Sequence, residues 1–275
     1  MTGSTATVDG RGAALATCDY GGDGPPLVLM HGAGMDQRSL APLAERLSLT
    51  HRVVTFDFRG HGDTGPAPWS VATAVQDVAD VAEAYGLDAP AVGGHSLGGM
   101  VALAYGTEHP SCLGVVNIDG HGRGRPDQYA GYDEAQVLEG WAKQDRRVDQ
   151  LTTGPVATGL RGLLRLLRQP VVAAETVTQV RREVDALDLF AMYRELRCPL
   201  LVFNAVATED RRIMRLWAGK GVPLAEAYRR GLVRDLAALA AERPRTEVAT
   251  VDASHMLIRT HPELVAQRIA KFLQA

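Results

Sequence analysis

Short, uninterrupted apolar runs recur along the chain and alternate with segments whose apolar residues follow a helical spacing. Apolar runs of this length that end near glycine are typical of strands buried on both faces of a sheet. The opening residues 5–21 predict an antiparallel hairpin that turns at Asp9 and Gly10. Six further strands are predicted within residues 25–32, 51–60, 89–96, 113–120, 198–210 and 246–255, where the fifth run continues into a loop.

The segments between these strands predict helices. In residues 70–86, four valines fall on one stripe at helical spacing, and Gly86 is a suitable C-terminal stop. Similar helices are predicted for residues 37–48, 98–110 and 262–274. Because strands and helices alternate, the pattern predicts an α/β protein with a mostly parallel, eight-stranded sheet that helices cover on both faces.

One region interrupts this alternation. No strand is evident from about residue 121 to 196, where three successive amphipathic helices are predicted instead. Their position between two core strands predicts an inserted helical cap formed by residues 122–196. The core would then consist of residues 1–121 and 197–275, with a second helical insertion at 211–244 between the last two strands.

Composition narrows the class of protein. The chain has 275 residues, 46% hydrophobic and 22% charged, with a formal net charge of −3, so nothing favours nucleic acid or a membrane as a partner. The three widely spaced cysteines, Cys18, Cys112 and Cys198, are interpreted as reduced, buried thiols without a metal-ligand pattern. No secretory signal and no apolar run near the ~20 residues of a membrane span are visible, so a cytoplasmic protein is expected.

Candidate chemistry begins with the stretch Gly94-His95-Ser96-Leu97-Gly98, which has the pattern G-x-S-x-G. An apolar strand precedes it and a helix follows, as the nucleophile-elbow motif requires. A serine that points its hydroxyl into a cleft from so sharp a turn needs a strained backbone at positive φ. Gly94 and Gly98 would avoid side-chain clashes there, and the helix N-terminus would favour a developing negative charge. The alternative interpretation is a helix N-cap serine after a tight turn.

The chain resembles the α/β-hydrolase superfamily over nearly its whole length. The resemblance rests on the hairpin, "HGAG", "DFRGHG", "GHSLGG" and a late "SH". It implies a serine nucleophile at Ser96 and an oxyanion hole formed by the backbone N–H groups of Ala33 and Leu97. It also implies that His31 and Gly32 position the loop that carries Ala33.

His255, just beyond the last predicted strand, is the predicted general base. In the family the base comes last in the chain, on this loop. Imidazole can take a proton from serine and return it to a leaving group near neutral pH. His261, followed by Pro262, is expected to start the terminal helix at the surface.

The third catalytic group is harder to locate. The commonest family position for the acid, after the penultimate strand, holds Ala207. Asp119, at the end of the preceding strand, keeps the order serine, acid, histidine, and some members of the superfamily draw their acid from this strand. Asp119 is therefore the predicted acid, while Glu209, Asp210 and the absence of an effective acid remain open.

These residues predict a serine hydrolase that needs no metal or cofactor and cleaves an ester, lactone or thioester of a small apolar molecule through an acyl-enzyme. The alternatives are a secondary-metabolite tailoring enzyme of the same fold, which would use acyl transfer, carbon–carbon cleavage, elimination or perhydrolysis, and a non-catalytic small-molecule receptor. If residues 163–168 are exposed, they could form a homodimer contact. Apolar residues expected either to line the pocket or to join cap and core are Trp141, Leu163, Leu164, Leu166, Leu167, Phe190, Met192 and Tyr193.

Overall fold

The computed structural model describes residues 3–153, 172–207 and 222–274. Its strands form one eight-stranded sheet with the order β1-β2-β4-β3-β5-β6-β7-β8. The first two contacts, β1 with β2 and β2 with β4, are antiparallel, and all others are parallel. The predicted hairpin and the mostly parallel sheet are therefore confirmed. The strands are β1 Ser4–Asp9, β2 Ala14–Gly21, β3 Pro26–Met30, β4 Arg52–Phe56, β5 Ala91–His95, β6 Val115–Ile118, β7 Leu200–Ala205 and β8 Thr246–Val251.

The central strands are apolar on both faces, which explains their uninterrupted apolar runs. Val28 and Met30 of β3 belong to the hydrophobic cluster on one face of the sheet. Leu27 and Leu29 of the same strand belong to the cluster on the other face. Successive side chains of a strand point to opposite faces, so a strand covered by helices on both sides needs apolar residues at every position.

Nine helices are found among the described residues. The predicted segment 173–196 forms two helices rather than one, because Asp188 accepts a hydrogen bond from the N–H of Ala191 and caps the second helix. The predicted helical segment 154–170 lies outside the described residues. The helices are α1 Ala41–Leu47, α2 Val71–Ala84, α3 Leu97–Glu108, α4 Glu134–Thr153, α5 Ala174–Asp185, α6 Leu189–Glu195, α7 Val222–Glu242, α8 Leu257–Thr260 and α9 Pro262–Leu273.

The described residues between β6 and β7 contain α4, α5, α6 and a short 3-10 turn, and no strand. Helix α5 lies against the loop before α2, where the N–H of Trp69 donates to Gln179 Oε1 at 3.0 Å. Helix α6 packs against α3 and contributes the buried side chains of Phe190 and Tyr193 to the core. The division into a core and a separate cap at residues 122–196 stays a prediction.

Arg123 joins α4 to α5 in this segment. Its guanidinium lies 2.7 Å from Asp145 of α4 and 2.7 Å from Asp185 of α5, and it sits over the ring of Trp141. The Arg123 side chain is 18% exposed and those of Asp145 and Asp185 are 37% and 31% exposed, so these contacts are partly shielded from water. Within the described ranges, no helix is long and apolar enough to span a membrane.

Candidate active site

Ser96 occupies a sharp turn between β5 and α3. Its φ is 55°, and its N–H donates to the carbonyl of Ile118 on the neighbouring strand at 2.9 Å. A Cβ atom at Gly94 would collide with the backbone of Gly98, and one at Gly98 would collide with the carbonyl of Met30. The positive φ and the close approach of both glycines are therefore as predicted for a nucleophile elbow.

Asp119 and His255 form a hydrogen-bonded pair. Asp119 follows β6 with a φ of 56°, and His255 lies in the loop between β8 and α8. The Nδ1 of His255 donates to Asp119 Oδ2 at 2.7 Å, and the N–H of Ala205 donates to Oδ1 at 2.8 Å. The Asp119 side chain is 11% exposed, whereas that of His255 is 48% exposed. A buried carboxylate thus orients a histidine whose ring reaches the surface.

The Asp119 carboxylate is held in its ionised form. Burial acts to raise its pKa, but the hydrogen bonds and charges of His121 and His255 outweigh this and keep the pKa well below the usual range. Since the ionised carboxylate accepts from Nδ1, the proton of neutral His255 resides on Nδ1 and its basic lone pair on Nε2. This is the tautomer that a general base for a serine requires.

The elbow, the acid turn and the histidine loop meet at the carboxyl ends of the parallel strands. A Cβ atom at Gly120 would collide with the carbonyl oxygen of Ser96, so the acid turn lies directly against the elbow. The ring of His95, beside Ser96, lies 4.6 Å from the ring of His255 between centroids. The structure therefore places the elbow that carries Ser96 beside the pair of Asp119 and His255.

Ala207 stands at the usual family position of the acid, and its contact there is made by the backbone. The N–H of Ala207 donates to the carbonyl of Ala253 at 3.0 Å, and its side chain carries no chemistry. The alternative acids, Glu209 and Asp210, lie outside the described residues. Among the candidate acids, Asp119 is the one that the structure describes, and it contacts His255.

His31 organises the loop that carries Ala33. Its Nδ1 donates to the carbonyl of Gly32 at 2.9 Å, and its Nε2 accepts from the N–H of Phe58 at 3.1 Å. Burial, together with nearby histidines, lowers the pKa of His31 to about 3, so the ring is neutral at ordinary pH. These contacts support the predicted architectural role.

The two predicted oxyanion donors lie on adjoining segments. The N–H of Gly98 donates to the carbonyl of His31 at 3.1 Å and links the elbow to the loop of Ala33. Leu97 is the first residue of α3, so its N–H has no intrahelical acceptor. A Cβ atom at Gly32 would lie 3.3 Å from Ser96 Cβ, which shows how closely this loop approaches the elbow.

The side chains of the "DFRGHG" segment make structural contacts. Arg59 donates from Nε and Nη2 to the carboxylate of Asp77 on α2, at 2.7 to 3.1 Å. Asp57 accepts from the N–H groups of Gln37 and Asp63, and its burial raises its pKa to about 6. His61 is buried as well. These residues stabilise the loops behind the site.

Sequence reasoning missed three side chains that surround the pair of Asp119 and His255. His95, beside Ser96, is buried, and its Nε2 donates to the carbonyl of His255 at 2.7 Å. His121 lies beside the carboxylate, with its Nε2 3.5 Å from Asp119 Oδ1. The third is Asn117 on β6. The contact of His95 joins two separate loops, which no local pattern encodes. Asn117 and His121 each lie two residues from Asp119, so their nearness in the chain was the available signal.

Asn117 closes the turn that presents Asp119. Its Nδ2 donates to the carbonyl of Gly120 at 2.7 Å, and its Oδ1 accepts from the N–H of Gly120 at 2.8 Å. The other Nδ2 proton goes to the hydroxyl of Tyr193 on α6 at 2.6 Å. The side chains of Asn117 and Tyr193 and the backbone of Gly120 are buried. This clamp holds Asp119 at a positive φ that a non-glycine residue adopts only under constraint.

The apolar residues expected at the pocket have mixed surroundings. Phe190 and Tyr193 are buried in the main core cluster and pack edge to face, 5.5 Å apart. Trp141 donates from Nε1 to the hydroxyl of Tyr129 at 2.9 Å. Leu163, Leu164, Leu166 and Leu167 lie outside the described residues. The contacts of Phe190 and Tyr193 favour the alternative in which these residues join the insertion to the core.

The described residues contain no cluster of metal-binding side chains. Across residues 3–153, 172–207 and 222–274, no group of three or more His, Cys, Asp or Glu side chains is arranged to hold an ion. The three cysteines are buried free thiols, in agreement with their predicted state.

The chain is similar to several known proteins. Over 264 residues it is 27% identical to RutD of Agrobacterium fabrum, which is named as a carbamate hydrolase, and the match covers 91% of this chain and 94% of that protein. Over 100 residues it is 37% identical to the pimeloyl-(acyl-carrier protein) methyl ester esterase of Xylella fastidiosa, which is 35% of this chain and 37% of that protein.

Solved structures share the fold. The crystal structure of E-2-(acetamidomethylene)succinate hydrolase superposes with a TM-score of 0.69 at 22% identity and covers 99% of this chain and 100% of that one. The model of the alpha/beta hydrolase family matches residues 27–268, which include the elbow, the acid turn and the histidine loop. This protein belongs to the alpha/beta hydrolase family.

Proposed function

We propose that this protein is a serine hydrolase that cleaves an ester, lactone or thioester of a small apolar molecule. The observation that carries the proposal is the 2.7 Å hydrogen bond between Asp119 and His255, next to a serine held at positive φ. Ser96 would be the nucleophile, His255 the general base and acid, and Asp119 the group that orients His255.

In the first half of the reaction, Ser96 Oγ attacks the acyl carbon while its proton moves to Nε2 of His255. The N–H groups of Ala33 and Leu97 stabilise the oxyanion, and the bond to the alcohol or thiol breaks as the leaving group takes the proton from His255. Water, deprotonated by His255, then attacks the acyl-enzyme and releases the acid. No metal or cofactor is needed for either half.

Residues 122–196 would form the cap over this site, with residues 1–121 and 197–275 as the core. The contact of Trp69 with Gln179 supports this arrangement, because α5 then lies over the carboxyl side of the sheet. The relative that matches over 100 residues is named as a methyl ester esterase, and this name supports ester-type substrates.

The decisive experiment is a burst assay with p-nitrophenyl acetate and labelling by a fluorophosphonate. We expect Ser96→Ala to lose the burst and the label, and His255→Ala to lose turnover. The matched controls are Ser111→Ala and His261→Ala, which change exposed residues. Unchanged turnover in Ser96→Ala would overturn the mechanism. Tight ligand binding without labelling of Ser96 would favour a receptor.

Carbamate hydrolysis is a second candidate, because the relative that matches over nearly its full length is named for that reaction. The same serine chemistry would apply: Ser96 attacks the carbamate carbonyl, the alcohol or phenol leaves with the proton from His255, and water hydrolyses the carbamoyl-enzyme to a carbamic acid, which loses carbon dioxide to give the amine. Parallel kcat/KM measurements with an aryl acetate and the corresponding aryl carbamate would rank the two candidates. Product analysis for free acid would separate hydrolysis from acyl transfer.

A further inference from the structure

A second histidine contacts the carboxylate of Asp119. His121, two residues later in the chain, places Nε2 3.5 Å from Asp119 Oδ1 and donates from it to the carbonyl of Phe203 at 3.2 Å. Oδ1 also accepts from the N–H of Ala205, so both of these contacts lie on the oxygen that His255 does not use. The carboxylate is thus enclosed by a histidine on each side.

The contacts of His121 identify the nitrogen that carries its proton. Both neighbours of Nε2, a carbonyl and an ionised carboxylate, are acceptors, so Nε2 must be the donor. The Nδ1 atom is buried without a hydrogen-bond partner among the described residues. His121 is suited to act as a single, fixed N–H donor.

The backbone around His121 is anchored. The hydroxyl of Tyr228 on α7 donates to the carbonyl of His121 at 2.9 Å, and the His121 side chain is 9% exposed. On its other side, Gly120 is held by the clamp from Asn117. The ring therefore has little freedom to leave the carboxylate.

We propose that His121 is a positioning residue, which holds Oδ1 of Asp119 so that Oδ2 stays directed at Nδ1 of His255. The proposal rests on the proposed function, since it assigns a task within the same catalytic group. His121 does not touch the reacting atoms and acts only through Asp119. The Nε2–H of His121 points mainly at the Phe203 carbonyl, at 3.2 Å, and makes a longer 3.5 Å contact with Oδ1. Without this contact, Oδ1 would keep the hydrogen bond from the N–H of Ala205, and the carboxylate would be freer to rotate about its Cβ–Cγ bond.

The test compares two variants of His121. His121→Gln keeps an N–H donor near the position of Nε2, whereas His121→Leu keeps the volume and removes the donor. His109→Leu is the matched control, because His109 stacks on Tyr105 at the far end of α3. Circular dichroism and thermal unfolding establish that all three variants fold.

Two readouts are needed. With p-nitrophenyl acetate, we expect His121→Leu to lower kcat about tenfold, equivalent to about 1.4 kcal/mol, with KM unchanged, and His121→Gln to remain within about threefold of the wild type. The carboxyl carbon of Asp119, followed by ¹³C NMR, should show an upward shift of its pKa in His121→Leu only. The other ionisable groups that interact with the charge of Asp119 are His95, Tyr193, Tyr228 and His255.

The outcomes separate this proposal from the proposed function. If the wild type neither labels with a fluorophosphonate nor turns over ester, the hydrolase assignment fails, while the NMR titration still reports whether His121 acts on Asp119. An unchanged Asp119 titration in His121→Leu overturns the positioning role whatever the activity. Equal losses of kcat in His121→Leu and His121→Gln would also overturn it, since they indicate a purely steric role.

Discussion

Nδ1 of His255 lies 2.7 Å from Oδ2 of Asp119, although 136 positions separate the two residues in the chain. Asp119 follows β6 and His255 follows β8, and β7 lies between these strands in the sheet. The intervening strand contributes directly, because the N–H of Ala205 at its end donates to the other carboxylate oxygen. Three neighbouring strands therefore build one acid–base pair.

Replacing the acid should impair catalysis much more than folding. We expect Asp119→Asn to lower kcat by about 10³- to 10⁴-fold, because an amide favours the wrong tautomer of His255 and cannot stabilise the imidazolium. Steady-state kinetics on p-nitrophenyl acetate measure the effect. Asp252→Asn, at an exposed position in the same loop as His255, should leave kcat unchanged. A wild-type kcat in Asp119→Asn would direct attention to Glu209 and Asp210.

The clamp on the acid turn should matter for both stability and rate. We expect Asn117→Ala to lower kcat and to destabilise the protein by about 2–4 kcal/mol, because two bonds to Gly120 and one to Tyr193 are lost while Asp119 stays strained. Tyr193→Phe removes one of these bonds and should cost about 1 kcal/mol. Urea unfolding measures both.

The control for the clamp is the loss of one hydrogen bond elsewhere in the protein. Tyr85→Phe removes the 2.7 Å hydrogen bond with Thr17, which lies away from the site. It should also cost about 1 kcal/mol but leave kcat unchanged. If Asn117→Ala kept the wild-type kcat after correction for the folded fraction, the clamp would have no part in positioning Asp119.

Stability should fall as the pH drops below about 6.5, in part because of His95. Burial, followed by the charge of His255, lowers the pKa of His95 from 6.5 to about 4. The folded state therefore resists a proton that the unfolded chain accepts, so the stability that neutral His95 provides is complete above pH 6.5 and is lost as the pH falls toward 4. Between about pH 7.5 and 5.5, one such histidine lowers the free energy of unfolding by about 1.4 kcal/mol.

Urea unfolding of the wild type and His95→Gln at these two pH values tests this. The variant cannot take up the proton, so its loss of stability between the two pH values should be about 1 kcal/mol smaller. Asp57 acts in the opposite direction, because its pKa is raised to about 6 and its buried charge becomes less costly at lower pH. Both proteins contain Asp57, so its effect cancels. Equal pH dependence in the two proteins would contradict the prediction.

Arg123 should stabilise the segment between β6 and β7. We expect Arg123→Met to lower the free energy of unfolding by about 1–3 kcal/mol, because Asp145 and the half-buried Asp185 lose a shielded partner. Limited proteolysis should then cut α4 faster. Arg194→Met, which breaks the exposed ion pair with Glu242, should cost less than about 1 kcal/mol. Similar effects of both substitutions would mean that the Arg123 contacts carry no special weight.

Local patterns predicted some features well for a physical reason. The elbow at Ser96 is a strand, a turn and a helix in immediate succession, so its glycines at positions 94 and 98 and its strained φ follow from nearby residues. The buried strands are equally readable, since both faces of the sheet demand apolar side chains. Helical periodicity did not predict that residues 173–196 form two helices, because their apolar stripe continues through the break at Asp188.

The sequence by itself determined the strands and the elbow, because these depend on residues close together in the chain, while the family resemblance supplied the expected order of serine, acid and histidine. It left the acid open among Asp119, Glu209 and Asp210. Only the tertiary structure decided that Asp119 contacts His255 and that His95, in the elbow, donates to the loop of His255. Contacts between the ends of separate strands depend on how the sheet is ordered and how its loops pack, and no short-range pattern encodes those distances.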